Sequence, residues 1–172
     1  MTIVLYPGTF DPITRGHVDI ASRAAALFGT VVVGVYDTPN KSLLFDTATR
    51  VRLAKGALTH IENVRVIAYQ GLTVDFAQEC GAGAIVRGLR AYSDFENELQ
   101  MAHQNRALRP LIETVCLMTS LEYSYLSSTL LREVARLGGD IRSLVPENVE
   151  LELEARFGAE THHDAIPRHL HS

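Results

Sequence analysis

The 172-residue chain has no tryptophan, three methionines and two cysteines. Those cysteines, Cys80 and Cys116, lie far apart without ligand-like spacing, which excludes a disulfide scaffold and a cysteine zinc site and suits a reducing cytoplasm. No apolar run reaches the ~18–20 residues that a membrane-spanning helix needs. The first residues show no basic stretch followed by an apolar one, so no secretory signal is expected. Positive charge is not in surplus: 16 Lys and Arg stand against 20 Asp and Glu, a formal net charge of -4. A general nucleic-acid binder should be basic, so that class is disfavoured. GxxxxGK[ST] is missing, which removes the P-loop NTPases. Gly81-Ala82-Gly83 lacks the third glycine of GxGxxG and precedes a strand, so the dinucleotide fingerprint fails as well. No Ser–His or Cys–His pairing carries hydrolase context, and no metal-ligand cluster appears before the last dozen residues.

What is present is an alternation. Apolar, β-branched runs at 3–6, 31–36, 64–68, 84–86 and 114–118 read as strands. Helical patterns lie between and after them, near 17–28, 47–60, 74–80, 94–108, 128–137 and 147–157. Gly29, Gly81 and Gly138 sit where helix C-caps belong, and Pro110 follows a helix end. Such alternation predicts one α/β domain over 1–157, a doubly wound five-stranded parallel sheet of Rossmann-like type with helices on both faces. The polar segment 158–172 holds four of the seven histidines, His162, His163, His169 and His171, and is expected to be a disordered tail. In this architecture ligands bind beyond the C-terminal ends of the strands. Residues with chemical potential do follow strands: Thr9 and His17 the first, Lys41 the second, Arg87 and Arg90 the fourth, Ser127-Ser128-Thr129 the fifth.

The richest stretch is Tyr6-Pro7-Gly8-Thr9-Phe10-Asp11-Pro12-Ile13-Thr14-Arg15-Gly16-His17, a strand end, a Gly/Pro turn and a helix start. Free N–H groups and the positive end of the helix suit it to phosphate. Gly16 would let a phosphate approach the backbone. The plainer reading is that Thr14 caps the helix and His17 is a surface residue. Near the other end, Leu126-Ser127-Ser128-Thr129-Leu130-Leu131-Arg132 puts adjacent hydroxyls at a helix start, where they can cap the helix or bind phosphate oxygens. Arg87 and Arg90 flank Gly88-Leu89; guanidinium groups there suit bidentate phosphate binding, with Lys41 a mobile point charge. In 94–106, Phe95, Leu99 and Ala102 form an apolar face expected to pack in the core, and Glu98 is left as a candidate ligand contact.

These residues carry a resemblance. Thr14-x-Gly16-His17 matches the (H/T)xGH motif of the nucleotidylyltransferase superfamily, and 126–132 resembles its ISSTxxR motif with Leu126 for Ile. YPGTFDPIT-x-GH, RGLR and DFE-x-ELQMAHQNR, with Asn97 for a usual Tyr, are similar to the bacterial phosphopantetheine adenylyltransferases over about 5–150. The resemblance implies transfer of AMP from ATP to 4′-phosphopantetheine, giving dephospho-coenzyme A and pyrophosphate, with Mg2+ held on the ATP phosphates and a homohexameric assembly. It implies His17, Lys41 and Arg90 as catalytic residues. ATP would be held by Thr9, Phe10, His17, Gly88, Leu89, Arg90, Glu98, Tyr123, Ser124, Tyr125, Leu126, Ser127, Ser128 and Thr129. Phosphopantetheine would be held by Thr9, Lys41, Thr73 and Arg87.

The nucleophile would be a phosphate monoester, already anionic at neutral pH, so no general base is needed. The catalytic task is to align several anions and to stabilise charge on the α-phosphate. At His17 the helix dipole favours neutral imidazole and a bound phosphate favours the cation, so its protonation state stays open. Two alternatives remain. Nicotinate mononucleotide adenylyltransferases share both superfamily motifs but usually carry GGTFDP-x-H-x-GH, where this chain has Tyr6-Pro7 and Thr14. A non-catalytic nucleotide-binding module would be expected to lack His17 or the cations, and this chain keeps both.

Overall fold

The computed structural model describes residues 2–40 and 42–161. Five strands, β1 (Ile3–Gly8), β2 (Thr30–Tyr36), β3 (Val64–Tyr69), β4 (Ala84–Leu89) and β5 (Glu113–Met118), form one parallel sheet in the order β3-β2-β1-β4-β5. The helices are α1 (Arg15–Leu27), α2 (Thr47–Leu58), α3 (Thr73–Glu79), α4 (Tyr92–Leu108), α5 (Ser128–Arg136) and α6 (Glu147–Thr161). This is the expected doubly wound α/β fold.

Side chains of a strand alternate between faces, and the central strands are apolar on both. Val4, Tyr6, Val31, Val33, Val35, Ala84 and Val86 face the larger core, built with α1, α2, α5 and α6. Leu5, Val32 and Ile85 face the smaller one, with Val74 and Ala77 of α3. At α4 the expectation fails: Phe95 and Leu99 are 46% and 44% exposed in the single chain rather than packed in its core.

Gly81 and Gly138 end α3 and α5 in the left-handed conformation, φ 68° and 76°. Each helix closes with a paired motif: Gly81 and Ala82 N–H donate to Gln78 and Ala77 C=O, and Gly138 and Gly139 N–H donate to Ala135 and Val134 C=O. Gly29 departs from this pattern. Phe28 caps α1 in extended backbone, and the Gly29 N–H donates to the Thr2 carbonyl at 3.0 Å, leading directly into β2. A short 3-10 turn, Leu121–Tyr123, was not expected. α6 continues past residue 157 to Thr161. His162, His163, His169 and His171 lie outside the described residues, as does Lys41.

Candidate active site

Chain order reverses between β1 and β4, the switch point of the sheet. There the ladder opens. β1 pairs with β4 only at Val4↔Ala84 and Leu5↔Ile85, whereas it stays paired with β2 through Gly8. Beyond that divergence lies a cavity of about 370 Å³, walled by the ends of β1 and β4, the first turn of α1 and the segment entering α5. Arg87 bridges the opening: its Nη1 donates to the Pro7 carbonyl at 3.0 Å, an acceptor that β4 no longer satisfies.

The turn after β1 is held by its own side chains. Phe10 adopts φ 49° and is buried, its ring edge-on to Tyr6 and to His17 at centroid distances of 5.4 and 5.1 Å. That ring lies over Gly8, where a Cβ would come within 2.8 Å of it. Thr14 does cap α1, but the cap is reciprocal with His17. The His17 N–H donates to Thr14 Oγ1 at 3.4 Å, and the Thr14 N–H donates to His17 Nδ1 at 3.0 Å. An Nδ1 that accepts a backbone N–H carries no proton, so the neutral ring holds its proton on Nε2. The plainer cap reading and the functional one therefore describe one arrangement, in which the cap orients the ring in the cavity wall. Gly16 lines the cavity too, and its Cβ would also sit 3.3 Å from Tyr123 Cβ, so this glycine lets the 3-10 turn close on α1.

The cavity cations are paired. Arg87 Nε and Nη2 donate to Glu98 Oε2 and Oε1 at 2.7 and 2.6 Å. Burial works against the Arg87 charge, but the Glu98 hydrogen bonds and charge more than restore it, and its pKa is raised. Burial also pushes the Tyr6 phenol up, partly countered by Arg87. Arg90 donates from Nη1 to the Leu126 carbonyl at 2.7 Å and from Nε to Asp94 Oδ2 at 3.3 Å. It thereby joins β4 to the segment entering α5. Asp94 resists desolvation by accepting the backbone N–H groups of Arg90 and Ala91, and its pKa is lowered. Arg132 donates to Asp11 Oδ2 at 2.7 Å, and the buried Asp11 also accepts the N–H groups of Leu44 and Phe45 at 2.8 and 3.0 Å.

Two helices present their N-termini here. Ser127 caps α5 by accepting the Leu130 N–H at 3.1 Å, and Ser128 Oγ donates to the Pro12 carbonyl at 2.9 Å. First-turn N–H groups have no intrahelical acceptor; Gly16 of α1 and Ser128 and Thr129 of α5 all line the cavity. An anion placed between them meets two positive helix ends.

Of the residues expected from sequence, the cavity gathers Thr9, Phe10, His17, Arg87, Gly88, Arg90, Glu98, Tyr123, Leu126, Ser127, Ser128 and Thr129. Leu89, Ser124, Tyr125 and Thr73 are not in its wall. Leu89 is buried at the end of β4, and Ser124 Oγ donates to the Leu121 carbonyl. Tyr125 is 64% exposed, and the Thr73 hydroxyl is hydrogen-bonded to Tyr69 at 3.0 Å. Asp11, Asp94 and Arg132 line the cavity without having been singled out, although each falls inside a quoted motif. Thr119 also lines it, and nothing in its local sequence marks it. Its loop is fixed by Asp19 of α1, which accepts Ser120 N–H and Oγ–H. Among the described residues no three His, Cys, Asp or Glu side chains gather as a metal cage. The cavity carboxylates Asp11, Asp94 and Glu98 are each bonded to an arginine.

The cytidylyltransferase-like family model matches residues 5–134. With the fold and the paired helix ends, this defines a nucleotidylyltransferase. A phosphopantetheine adenylyltransferase of Thermosynechococcus vestitus is 52% identical over 155 residues, covering 90% of this chain and 92% of the relative. One from Thermomicrobium roseum is 53% identical, covering 89% and 93%, and one from Herpetosiphon aurantiacus is 47% identical, covering 96% and 99%. The chain belongs to the phosphopantetheine adenylyltransferase family. A solved structure from Vibrio parahaemolyticus, assigned as a nicotinate-nucleotide adenylyltransferase, shares the fold with TM-score 0.68 at 20% identity, over 91% of this chain and 95% of that one.

Proposed function

We propose that this chain transfers the adenylyl group of ATP to the phosphate of 4′-phosphopantetheine, forming dephospho-coenzyme A and pyrophosphate in coenzyme A biosynthesis. The observation that carries this is identity of 47–53% across nearly the whole length to relatives of that name. A phosphate oxygen of the acceptor attacks the α-phosphorus as the bond to the β-phosphate oxygen breaks, and pyrophosphate leaves with that electron pair. The acceptor is already anionic, so no base removes a proton and no covalent intermediate forms. The residues contribute alignment and charge stabilisation. His17, with Nδ1 occupied by Thr14, offers its Nε2–H to the α-phosphate. Arg90 and the N-termini of α1 and α5 hold the triphosphate. Thr9 and Lys41 hold the acceptor phosphate, with Arg87 and Thr73 toward the pantetheine.

Mg2+ would be carried by the ATP phosphates and would supply charge shielding between the reacting anions. Support for that reading comes from the cavity carboxylates Asp11, Asp94 and Glu98, each of which is bonded to an arginine. The assembly is a homohexamer. Support for self-association comes from apolar side chains left open on the single chain, among them Phe95, Leu99, Met118, Leu111 and Leu121, the last two 93% and 89% exposed. The protein acts in the cytoplasm, in keeping with its free Cys80 and Cys116. Pyrophosphate release from ATP, compared with phosphopantetheine, nicotinate mononucleotide or no acceptor, tests the assignment. Release specific to phosphopantetheine is expected; comparable release with nicotinate mononucleotide overturns it.

A further inference from the structure

Arg50, on the first turns of α2, is 0% exposed, and no carboxylate lies within ion-pairing distance among the described residues. Burying a guanidinium in this way is unfavourable unless its donors are satisfied. All five are. Nε donates to the Phe45 carbonyl at 3.2 Å. Nη1 donates to the carbonyls of Thr9 and Tyr36 at 2.7 and 2.8 Å. Nη2 donates to the Asp37 carbonyl and to Thr47 Oγ1 at 3.2 and 2.8 Å.

These acceptors share a place in the fold. Thr9 follows β1 and lines the cavity; Tyr36 ends β2 and Asp37 follows it; Phe45 leads into α2. Arg50 therefore holds both ends of the connection between β2 and α2 and fastens them to the turn after β1. Asp11 works from the other side: it accepts the Phe45 N–H while Arg50 takes the Phe45 carbonyl. The middle of that connection, 38–43, contains Lys41. The core packing of α2 is carried by Leu53, Ala54, Ala57 and Leu58, a turn or more beyond Arg50.

We propose that Arg50 is a positioning residue for the adenylyl acceptor, clamping the β2–α2 connection to the Thr9 turn and so setting the site where the acceptor phosphate binds. It touches no substrate. The proposal rests on the proposed function, in particular on the assignment of Lys41 and Thr9 to the acceptor.

Two variants test it. Arg50→Lys keeps the charge but offers three donors in place of the five of the planar fork. Thr47→Val removes one acceptor at nearly constant shape. The expected result is a KM for phosphopantetheine raised about tenfold in Arg50→Lys and about threefold in Thr47→Val, the scale of one or part of one charge-assisted hydrogen bond. KM for ATP should stay within about twofold, and amides of 38–45 should exchange faster while those of α6 do not. In a Lys41→Ala background, Arg50→Lys should add little. A purely structural Arg50 would lower the melting temperature and leave both KM values unchanged, and that outcome overturns the proposal, as does equal weakening of both substrates. If Arg50→Lys fails to fold, Thr47→Val decides by the same criteria. If Lys41→Ala by itself leaves the phosphopantetheine KM unchanged, the Lys41 assignment fails, and the Arg50 proposal then stands or falls on a selective rise transmitted through Thr9.

Discussion

Glu98 lines the cavity, and its pairing with Arg87 can be tested by substitution. The family resemblance makes it an ATP contact; the structure gives both its oxygens to Arg87, at 2.6 and 2.7 Å, with side-chain exposures of 11% and 25%. Glu98→Ala removes two charge-assisted hydrogen bonds and leaves the Arg87 guanidinium with the Pro7 carbonyl as its one remaining acceptor among the described residues. Breaking one side of a fully buried pair costs about 3–5 kcal/mol, and the partial exposure of Arg87 reduces this to about 2–3 kcal/mol. For a domain of this size each kcal/mol moves Tm by about 2–4 °C, so a drop of about 4–12 °C is expected. Urea unfolding followed by far-ultraviolet circular dichroism suits a chain without tryptophan, run at two protein concentrations to separate assembly from folding. The double variant Arg87→Met/Glu98→Leu, which removes both charges, should recover most of the loss. An unchanged urea midpoint in Glu98→Ala, or a double variant as unstable as the sum of the singles, would refute the pairing as the reason for Glu98.

His17→Ala should depress kcat by about 10²–10³ with little change in KM for ATP, if the Nε2–H meets the α-phosphate chiefly as the transition state forms; a normal kcat with weakened ATP binding sinks that role. By calorimetry, Lys41→Ala should weaken phosphopantetheine and Arg90→Ala should weaken ATP, each by about ten- to a hundredfold. Equal losses for both ligands in both variants would erase the division of the site. Burial raises the Tyr6 pKa above its ordinary 10.0 in the folded protein. Its contribution is thus fully present below about pH 10 and is lost as pH rises, because the unfolded phenol ionises first. Between about pH 9 and 11 the urea midpoint should fall less steeply in Tyr6→Phe than in the parent chain, and identical slopes would contradict the argument.

The strands were legible because their apolar β-branched runs are buried on both faces, as Val31-Val32-Val33 shows. The two helix starts at the cavity were legible because cap residues mark them in the sequence: Thr14 with His17, and Ser127 before Ser128. What local sequence could not show is partnership across the sheet. Arg87 meets Glu98 eleven positions on, and Asp11 meets Arg132 across the whole domain; neither periodicity nor spacing encodes those contacts. Nothing in the local sequence marks Arg50; its acceptors come together only once the ends of β1 and β2 are placed around it. The half-open apolar face of α4 looked like core because the sequence pattern does not distinguish a fully packed face from one left partly exposed.

That the acceptor's phosphate is the nucleophile at the adenylyl group is tested most directly by isotope placement. Phosphopantetheine labelled with 18O at its three non-bridging phosphate oxygens is incubated with unlabelled ATP and Mg2+, and the products are weighed by mass spectrometry. All three labels are expected in dephospho-coenzyme A and none in pyrophosphate. Label in pyrophosphate, or no dephospho-coenzyme A from the folded protein, would contradict it.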